Sequence, residues 1–366
     1  MTTVLLTGGE NLVSLVLAKS LHSKGVTVLT SSSERGASSF SKYSRKDYIC
    51  QDYVSEEKEY IEKIQEILTH HDGQDIIIIP TGREIYAIAK NLDRFPGIKI
   101  PIKSYDNLTT VGHKEKLTQL AKELGIQTPK SRKINSKRSI EQILESNEQL
   151  NFPLMIKPIN EAGGDGIQVV SDKQDLEKKI EITSNEFGFP FLVQEYIPGG
   201  DYCVTCLYKE GELQTMMTYR NLAQFPPKTG MGCLSLAVTR NRNPEIGEME
   251  KAVKKICDHL EWHGVAEFDF RYDPDEQKSY LLEGNPRIWG NINLSVKSGV
   301  DYPYLLYCLA ADKELNTDFN IKSGTIDCHY LSGISINDPK VMLFYLVKLP
   351  GFMKKMVKKT YHLIFS

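Results

Sequence analysis

The chain lacks almost every bias that would mark a specialised class. Its 366 residues include seven cysteines, at positions 50, 203, 206, 233, 257, 308 and 328. So odd and dispersed a set makes no disulfide framework and suits a reducing compartment. Neither charge dominates: 45 Lys and Arg face 47 Asp and Glu, a formal −2. A nucleic-acid footprint needs a basic domain, so that class is excluded. No uncharged run reaches the ~18 residues of a membrane-spanning helix. No basic leader precedes Val4–Leu6, the first apolar run, which breaks into Thr7-Gly8-Gly9-Glu10-Asn11. The chain therefore reads as cytoplasmic. With 40% hydrophobic and 25% charged residues, collagen-like and disordered classes are excluded. At ~150 residues per domain, two or three domains are expected.

Cys203 and Cys206 form a lone C-x-x-C within Asp201-Tyr-Cys-Val-Thr-Cys-Leu-Tyr208. That stretch reads as a strand, where residues three apart face opposite ways, so both are expected to be small buried apolar groups. Redox and metal chemistry are set aside for the pair.

Up to residue 110 two periods alternate. Val4–Thr7, Val26–Thr30 and Ile76–Ile79 are short, largely β-branched runs that read as buried parallel strands. Leu12–Lys24, Ser55–His70 and Glu84–Asp93 between them carry helical spacing. The alternation predicts a doubly wound sheet. Its first turn lacks G-x-G-x-x-G, so dinucleotide binding is unsupported. Ligands in such sheets still bind beyond the strands' carboxyl ends, where Glu10, Thr81 and Arg83 fall. The plainer reading of these three is helix capping and turn lining.

Beyond residue 110 the spacing predicts a helix over His113–Leu124 and another near Ser139–Glu145. A strand at Leu154–Lys157, a glycine loop, a strand at Ile167–Val170 and a helix over Lys173–Ile182 follow. Then strands dominate: Phe191–Ile197, Tyr202–Tyr208, Glu212–Arg220, Leu234–Thr239, Gly264–Arg271 and Tyr280–Glu283. A helix over Pro244–Leu260 interrupts them, and helical spacing resumes from Trp289 to Ala311.

Three stretches carry chemistry. In Lys157-Pro-Ile-Asn-Glu-Ala-Gly163-Gly164-Asp165-Gly166, closely spaced glycines let backbone N–H groups converge on an anion, with Lys157 beside them. An ordinary glycine hairpin with a solvated lysine is the plainer alternative. In Glu267-Phe-Asp269 and Glu283-Gly-Asn285, period two places each pair of oxygen donors on one face. Two such strands make a hard-cation site suited to Mg²⁺ on phosphates, against a salt-bridged sheet face. In Gln194-Glu195-Tyr196-Ile197-Pro-Gly-Gly-Asp201, a strand exits into a loop that could offer backbone groups to an adenine edge.

In this order, with Lys114 in Gly-His-Lys and Arg287 after Glu283-Gly-Asn285-Pro, the motifs resemble the ATP-grasp superfamily. The resemblance spans about residues 1–315 and is closest to carboxylate–amine ligases and carbamoyl-phosphate-synthase-like members. It implies an α/β and α+β chain. A Rossmann-like pre-ATP-grasp domain (1–110) precedes a small lid (111–190) and a larger antiparallel grasp subdomain (191–325), with a tail over 326–366. It implies Lys114 and Lys157 on the ATP phosphates, Gly163, Gly164 and Gly166 in the phosphate loop, and Gln194 on the adenine amino group. The backbones of Glu195 and Ile197 would meet the ring edge, and Asp201 the ribose. Glu267, Glu283 and Asn285 match the ligands of two Mg²⁺ ions, with Mn²⁺ as an alternative. Arg287 and Lys157 match catalytic positions, Arg287 facing the transferred group. Arg220 is a weaker substrate candidate, as are Glu10 and Arg83.

The implied reaction joins a small-molecule carboxylate to an amine through an acyl phosphate, with ADP as product. Bicarbonate activation and a catalytically silent ATP-binding regulator are the alternatives. Relatives often dimerise, so a homodimer is an expected state. Two departures stand out: His113 and Gln194 occupy positions where many members carry Asp and Glu. Asp269 beside Glu267 leaves open which of the two binds metal. The segment Pro339–Ser366 holds six lysines and no acid among large apolar residues. It reads as a docked terminal helix with a solvated lysine face, or as a peripheral membrane contact.

Overall fold

The computed structural model describes residues 2–71, 73–136, 151–158, 166–225 and 231–328. The expected helix near Ser139–Glu145, the loop through Gly163 and Gly164, and the basic segment over 339–366 lie outside the described residues. Among the described residues, no helix is long and apolar enough to cross a membrane.

The first unit is built from β1 (Thr3–Thr7), α1 (Leu12–Ser23), β2 (Thr27–Ser32), β3 (Lys46–Ile49), α2 (Glu57–Thr69), β4 (Ile76–Pro80) and α3 (Ile85–Lys90). The strands run parallel in the order β3-β2-β1-β4. Every residue of β1 and β4 is buried, as expected for strands covered on both faces. β3 escaped the sequence reading because its Lys-Asp-Tyr-Ile is an edge with no buried residue.

α4 (Tyr105–Gly112) and α5 (Lys114–Glu123) meet at His113, the N-cap of α5. The second sheet holds β5 (Ser131–Ile134), β6 (Leu154–Pro158), β7 (Gln168–Val170) and β8 (Phe191–Glu195), with α6 (Lys173–Glu186) between β7 and β8. Its order is β5-β8-β6-β7. β8 therefore belongs to the small sheet, which corrects a boundary drawn at 190. Its partners β5 and β6 lie on either side of it, and pairing of that kind is invisible to local periodicity.

The third unit comprises β9 (Gly200–Lys209), β10 (Glu212–Phe225), β11 (Met231–Val238), α7 (Ile246–His259), β12 (Gly264–Asp273), β13 (Lys278–Asn285), α8 (Ile292–Lys297), α9 (Tyr302–Ala310) and β14 (Ile326–Cys328). The six strands run in the order β13-β12-β9-β10-β11-β14. Period two divides the central strands cleanly. Val204, Cys206, Phe268 and Phe270 pack in one cluster with Met249, Val253 and Ile256 of α7. Cys203, Leu207, Tyr219 and Val265 pack on the other face with Trp289, Ile292 and Tyr302. Cys203 and Cys206 are thus buried on opposite faces, as expected. The helical stretch 289–311 is two helices, because Gly299 adopts φ +98 between them.

Candidate active site

Strand register assembles the acidic half of the site. β12 and β13 place Glu267 opposite Asn285 and Asp269 opposite Glu283. β9 sets Cys203 beside Asp269, and β10 sets Tyr219 beside Cys203. Alternation turns these side chains to one face. The Tyr219 hydroxyl donates to Glu267 Oε1, and Asn285 Nδ2 donates to Glu267 Oε2 at 3.3 Å. Arg287 Nη2 donates to Asn285 Oδ1 at 3.3 Å, while its Nη1 donates to the Ile288 carbonyl at 2.9 Å. The Cys203 thiol donates to Asp269 Oδ1 at 2.9 Å.

Two lysines arrive from other elements. Lys114 is the first residue of α5, and Lys157 sits near the end of β6. Both carry charge to Glu283. Burial lowers the Lys114 ammonium's pKa. Burial, with Lys114 as neighbour, lowers that of Lys157 to about 7. Glu283 keeps an exposed surface, yet the surrounding protein crowds its carboxyl. That crowding opposes ionisation, but Lys114, a hydrogen bond from Asp269, Lys157 and Arg287 together hold the carboxyl below its usual range. Glu267 behaves in the opposite way: burial and Glu283 push it up to about 7, against Tyr219, Arg287 and Asn285. Asp269 is raised by burial, Glu267 and Glu283. Three carboxyls thus gather beside Lys114, Lys157 and Arg287, with like charges acting on one another in each group.

The strand exit toward the loop is held by a residue the sequence reading passed over. Arg271 lies 3.6 Å from Asp201, donates to the Tyr196 hydroxyl and the Gly199 carbonyl at 3.3 Å each, and stacks on the Tyr196 ring at 4.9 Å. Burial raises Asp201, with Arg271 the first charge opposing it. Gln194 is buried on β8. The Glu195 N–H is engaged by the Lys130 carbonyl at 2.9 Å, and its carboxylate lies 3.7 Å from Lys130 Nζ. Ile197 is buried just beyond. Gly166 adopts φ +69 against Pro158 and Phe187, a position that only glycine takes without strain.

Pro80 at the end of β4 and Ile85 of α3 line a cavity with Pro286 and Arg287. Glu10 accepts from the Ser33 N–H at 3.2 Å, and burial raises its carboxyl. Thr81 is locked into its turn by Thr7, Ser14 and Glu84, which is the plainer of its two readings. Glu84, buried and unpredicted, accepts from Thr7 Oγ1 at 2.8 Å and from the Thr81 and Gly82 N–H groups at 2.9 Å each. Arg83 is exposed, and its charge meets that of Arg287 at the Tyr86 phenol. Arg220 extends over the Tyr202 ring at 5.7 Å. Tyr202 bonds Glu245 at the start of α7, so Arg220 lies on the opposite sheet face from Glu267, although its charge reaches Asp201. Tyr219 and Cys203 were the residues least visible in advance. Alternation gives each its face, but only the pairing of β9 with β10 and β12 brings them to the carboxylates.

Residues 111–291, which contain Lys114, Lys157, Glu267, Asp269, Glu283 and Arg287, match the model of the ATP-grasp domain. The chain carries an ATP-grasp domain. It is 23% identical over 308 residues to the carbamoyl phosphate synthase large chain of Clostridium acetobutylicum, covering 84% of this chain and 27% of that protein. The chain thus spans about a quarter of that relative's length. Among solved structures, the L-amino acid ligase of Bacillus licheniformis has a TM-score of 0.66 at 15% identity, over 88% of this chain and 77% of that one. The biotin carboxylase domain of the Hydrogenobacter thermophilus 2-oxoglutarate carboxylase, solved with MgADP, ADP and bicarbonate, has a TM-score of 0.67 at 16% identity, over 89% and 74%. At such identities these structures speak for the fold: a parallel-sheet unit followed by the two antiparallel sheets of ATP-grasp.

Proposed function

We propose that this ATP-grasp protein is a ligase that uses MgATP to activate a substrate carboxylate as an acyl phosphate, then joins it to an amine with release of phosphate. The observation that carries the reading is the meeting of Lys114, Lys157 and Arg287 from three elements with Glu267, Glu283 and Asn285. A structural ion-pair network would alternate its charges. This one gathers like charges on both sides, which suits a polyanion bound with its cation.

A carboxylate is a poor electrophile, so it first needs a leaving group. One carboxylate oxygen attacks the γ-phosphorus, the bond to the β–γ bridging oxygen breaks, and ADP departs. The amine nitrogen then attacks the acyl carbon, loses a proton, and phosphate leaves. Phosphoryl transfer depends on positioning and charge neutralisation more than on covalent help. In this reading Lys114 and Lys157 hold the phosphates, Arg287 faces the transferred group, and the Gln194–Ile197 exit takes the adenine with Asp201 near the ribose. The set of carboxylate and amide oxygens fits Mg²⁺, with Mn²⁺ as a second choice. Glu267, Glu283 and Asn285 would hold the metal, which neutralises phosphate charge when bound. Glu10 and Arg83 are the substrate-side candidates.

A second reading, bicarbonate activated as carboxyphosphate, is favoured by the carbamoyl phosphate synthase relative. Turnover with Mg²⁺, hydroxylamine and pooled carboxylates separates them. ADP with a hydroxamate supports the ligase, bicarbonate-dependent ADP without hydroxamate supports the alternative, and AMP contradicts both. Saturable MgATP binding with no turnover would point to a silent regulator.

A further inference from the structure

The catalytic reading uses Glu267 but leaves Cys203 and Asp269 without a task. One donor atom from each of Cys203, Glu267 and Asp269 lies within 4.8 Å of the other two. The set is neither an acidic cluster nor an isolated thiol: it pairs one sulfur with two carboxylates, on adjacent strands β9 and β12. Cys203 is only 4% exposed, yet it stands in a polar network. Asn221 Nδ2 donates to its sulfur at 3.6 Å, Ser235 Oγ donates to Asn221 Oδ1 at 2.7 Å, and Asn291 Nδ2 donates to Ser235 Oγ at 2.9 Å. Outer partners that fix a ligand's orientation are the usual surroundings of a metal-binding side chain. At the far end of the network Asn291, 6% exposed, has an Oδ1 with no partner among the described residues.

We propose that Cys203, Glu267 and Asp269 form a sulfur-containing cation position, distinct in chemistry from the all-oxygen Glu267/Glu283/Asn285 set, that takes a borderline-soft divalent ion of the Zn²⁺ class. Thiolate ligands select such ions, whereas Mg²⁺ takes oxygen. Three protein ligands leave a fourth position open for water. Capture replaces the Cys203 S–H···Asp269 hydrogen bond with a sulfur–metal bond, and the thiol proton passes to the buffer. Because Glu267 belongs to both sets, a soft ion here competes with the hard one.

Cd²⁺ is the probe, titrated into the full chain carrying Cys233→Ser and Cys328→Ser, since those two thiols are the least buried. The expected result is a saturable ultraviolet sulfur-to-cadmium charge-transfer band at one equivalent. It should be lost in Cys203→Ser, be weakened about tenfold in affinity in Asp269→Asn, and persist in Cys206→Ser, whose sulfur lies on the opposite face. Absence of the band, or a band unchanged in Cys203→Ser, overturns the proposal. If Cys203→Ser fails to fold, the ¹¹³Cd resonance of the Cys203-containing protein decides. A shift for one sulfur among oxygens supports the site, and an oxygen-only or multi-sulfur shift removes it.

Discussion

Burial and Lys114 weaken the hold of Lys157 on its proton, and a bound polyphosphate would restore it. Lys157→Ala removes a charged hydrogen bond of about 1.5–3 kcal/mol, so MgATP affinity should fall roughly 10- to 100-fold by calorimetry. Unchanged affinity would disprove the phosphate role. The depressed pKa adds a proton-linked signature. Near pH 8 the unliganded amine, with its pKa at about 7, is largely neutral, and an arriving phosphate raises that pKa. Binding of ATP without metal should therefore take up a proton at pH 8 and little at pH 6. Calorimetry in buffers of different ionisation enthalpy reads this directly, and equal uptake at both values would contradict it. The folded-state sign follows from the same shift. Between about pH 7 and the ordinary lysine range the unfolded chain holds more protons, so this group's destabilisation fades as pH rises through that window. Arg287→Ala should slow turnover more than it weakens ATP binding, and Glu283→Gln should reduce turnover by about 100-fold or more with the fold intact. Wild-type turnover in the latter would remove the metal role.

The site's precision resides in β12, β13 and the helices behind them. Gly284 separates Glu283 from Asn285, and a Cβ there would meet Val111 Cγ1 at 2.7 Å and the Val111 carbonyl at 2.9 Å. Backbone cannot yield as a side-chain tip can. Gly284→Ala should therefore cost about 1–3 kcal/mol and shift the metal donors, read as a lowered Tm with weaker Mg²⁺ dependence. An unaltered Tm would show that α4 is not packed as described. At this scale the sequence was readable where burial is one-sided. Glu267 and Asp269 share a face because Phe268 and Phe270 take the other, and Lys157 was visible at a strand end. Edge strand β3 was not, since it buries nothing. Nor was the assignment of β8 to the small sheet, nor the proximity of Tyr219, Cys203 and Arg271 to the acids. Those depend on pairings between distant segments, on which local pattern is silent.

Across the molecule, Lys157 rises from the small sheet, and Glu267 and Glu283 from the large one. A ligand that touches both stabilises their arrangement in proportion to its affinity. At 100 times Kd the expected gain is about 2.7 kcal/mol, seen as a raised Tm in scanning calorimetry. The gain should be largely lost in Lys157→Ala at the same MgATP concentration, and an equal rise in both proteins would place the nucleotide elsewhere. The order of the chain made this architecture legible in outline, because a parallel sheet, a lysine strand with its glycine loop, and the paired acid strands succeed one another in a recognisable sequence.

The proposed reaction requires that a carboxylate oxygen attack the γ-phosphate. With a carboxylate identified by hydroxamate formation, its oxygens are labelled with ¹⁸O and the released phosphate is weighed by mass spectrometry. Acyl-phosphate chemistry predicts one ¹⁸O in the phosphate for each amide formed. Unlabelled phosphate, or label found in AMP, would rule that attack out.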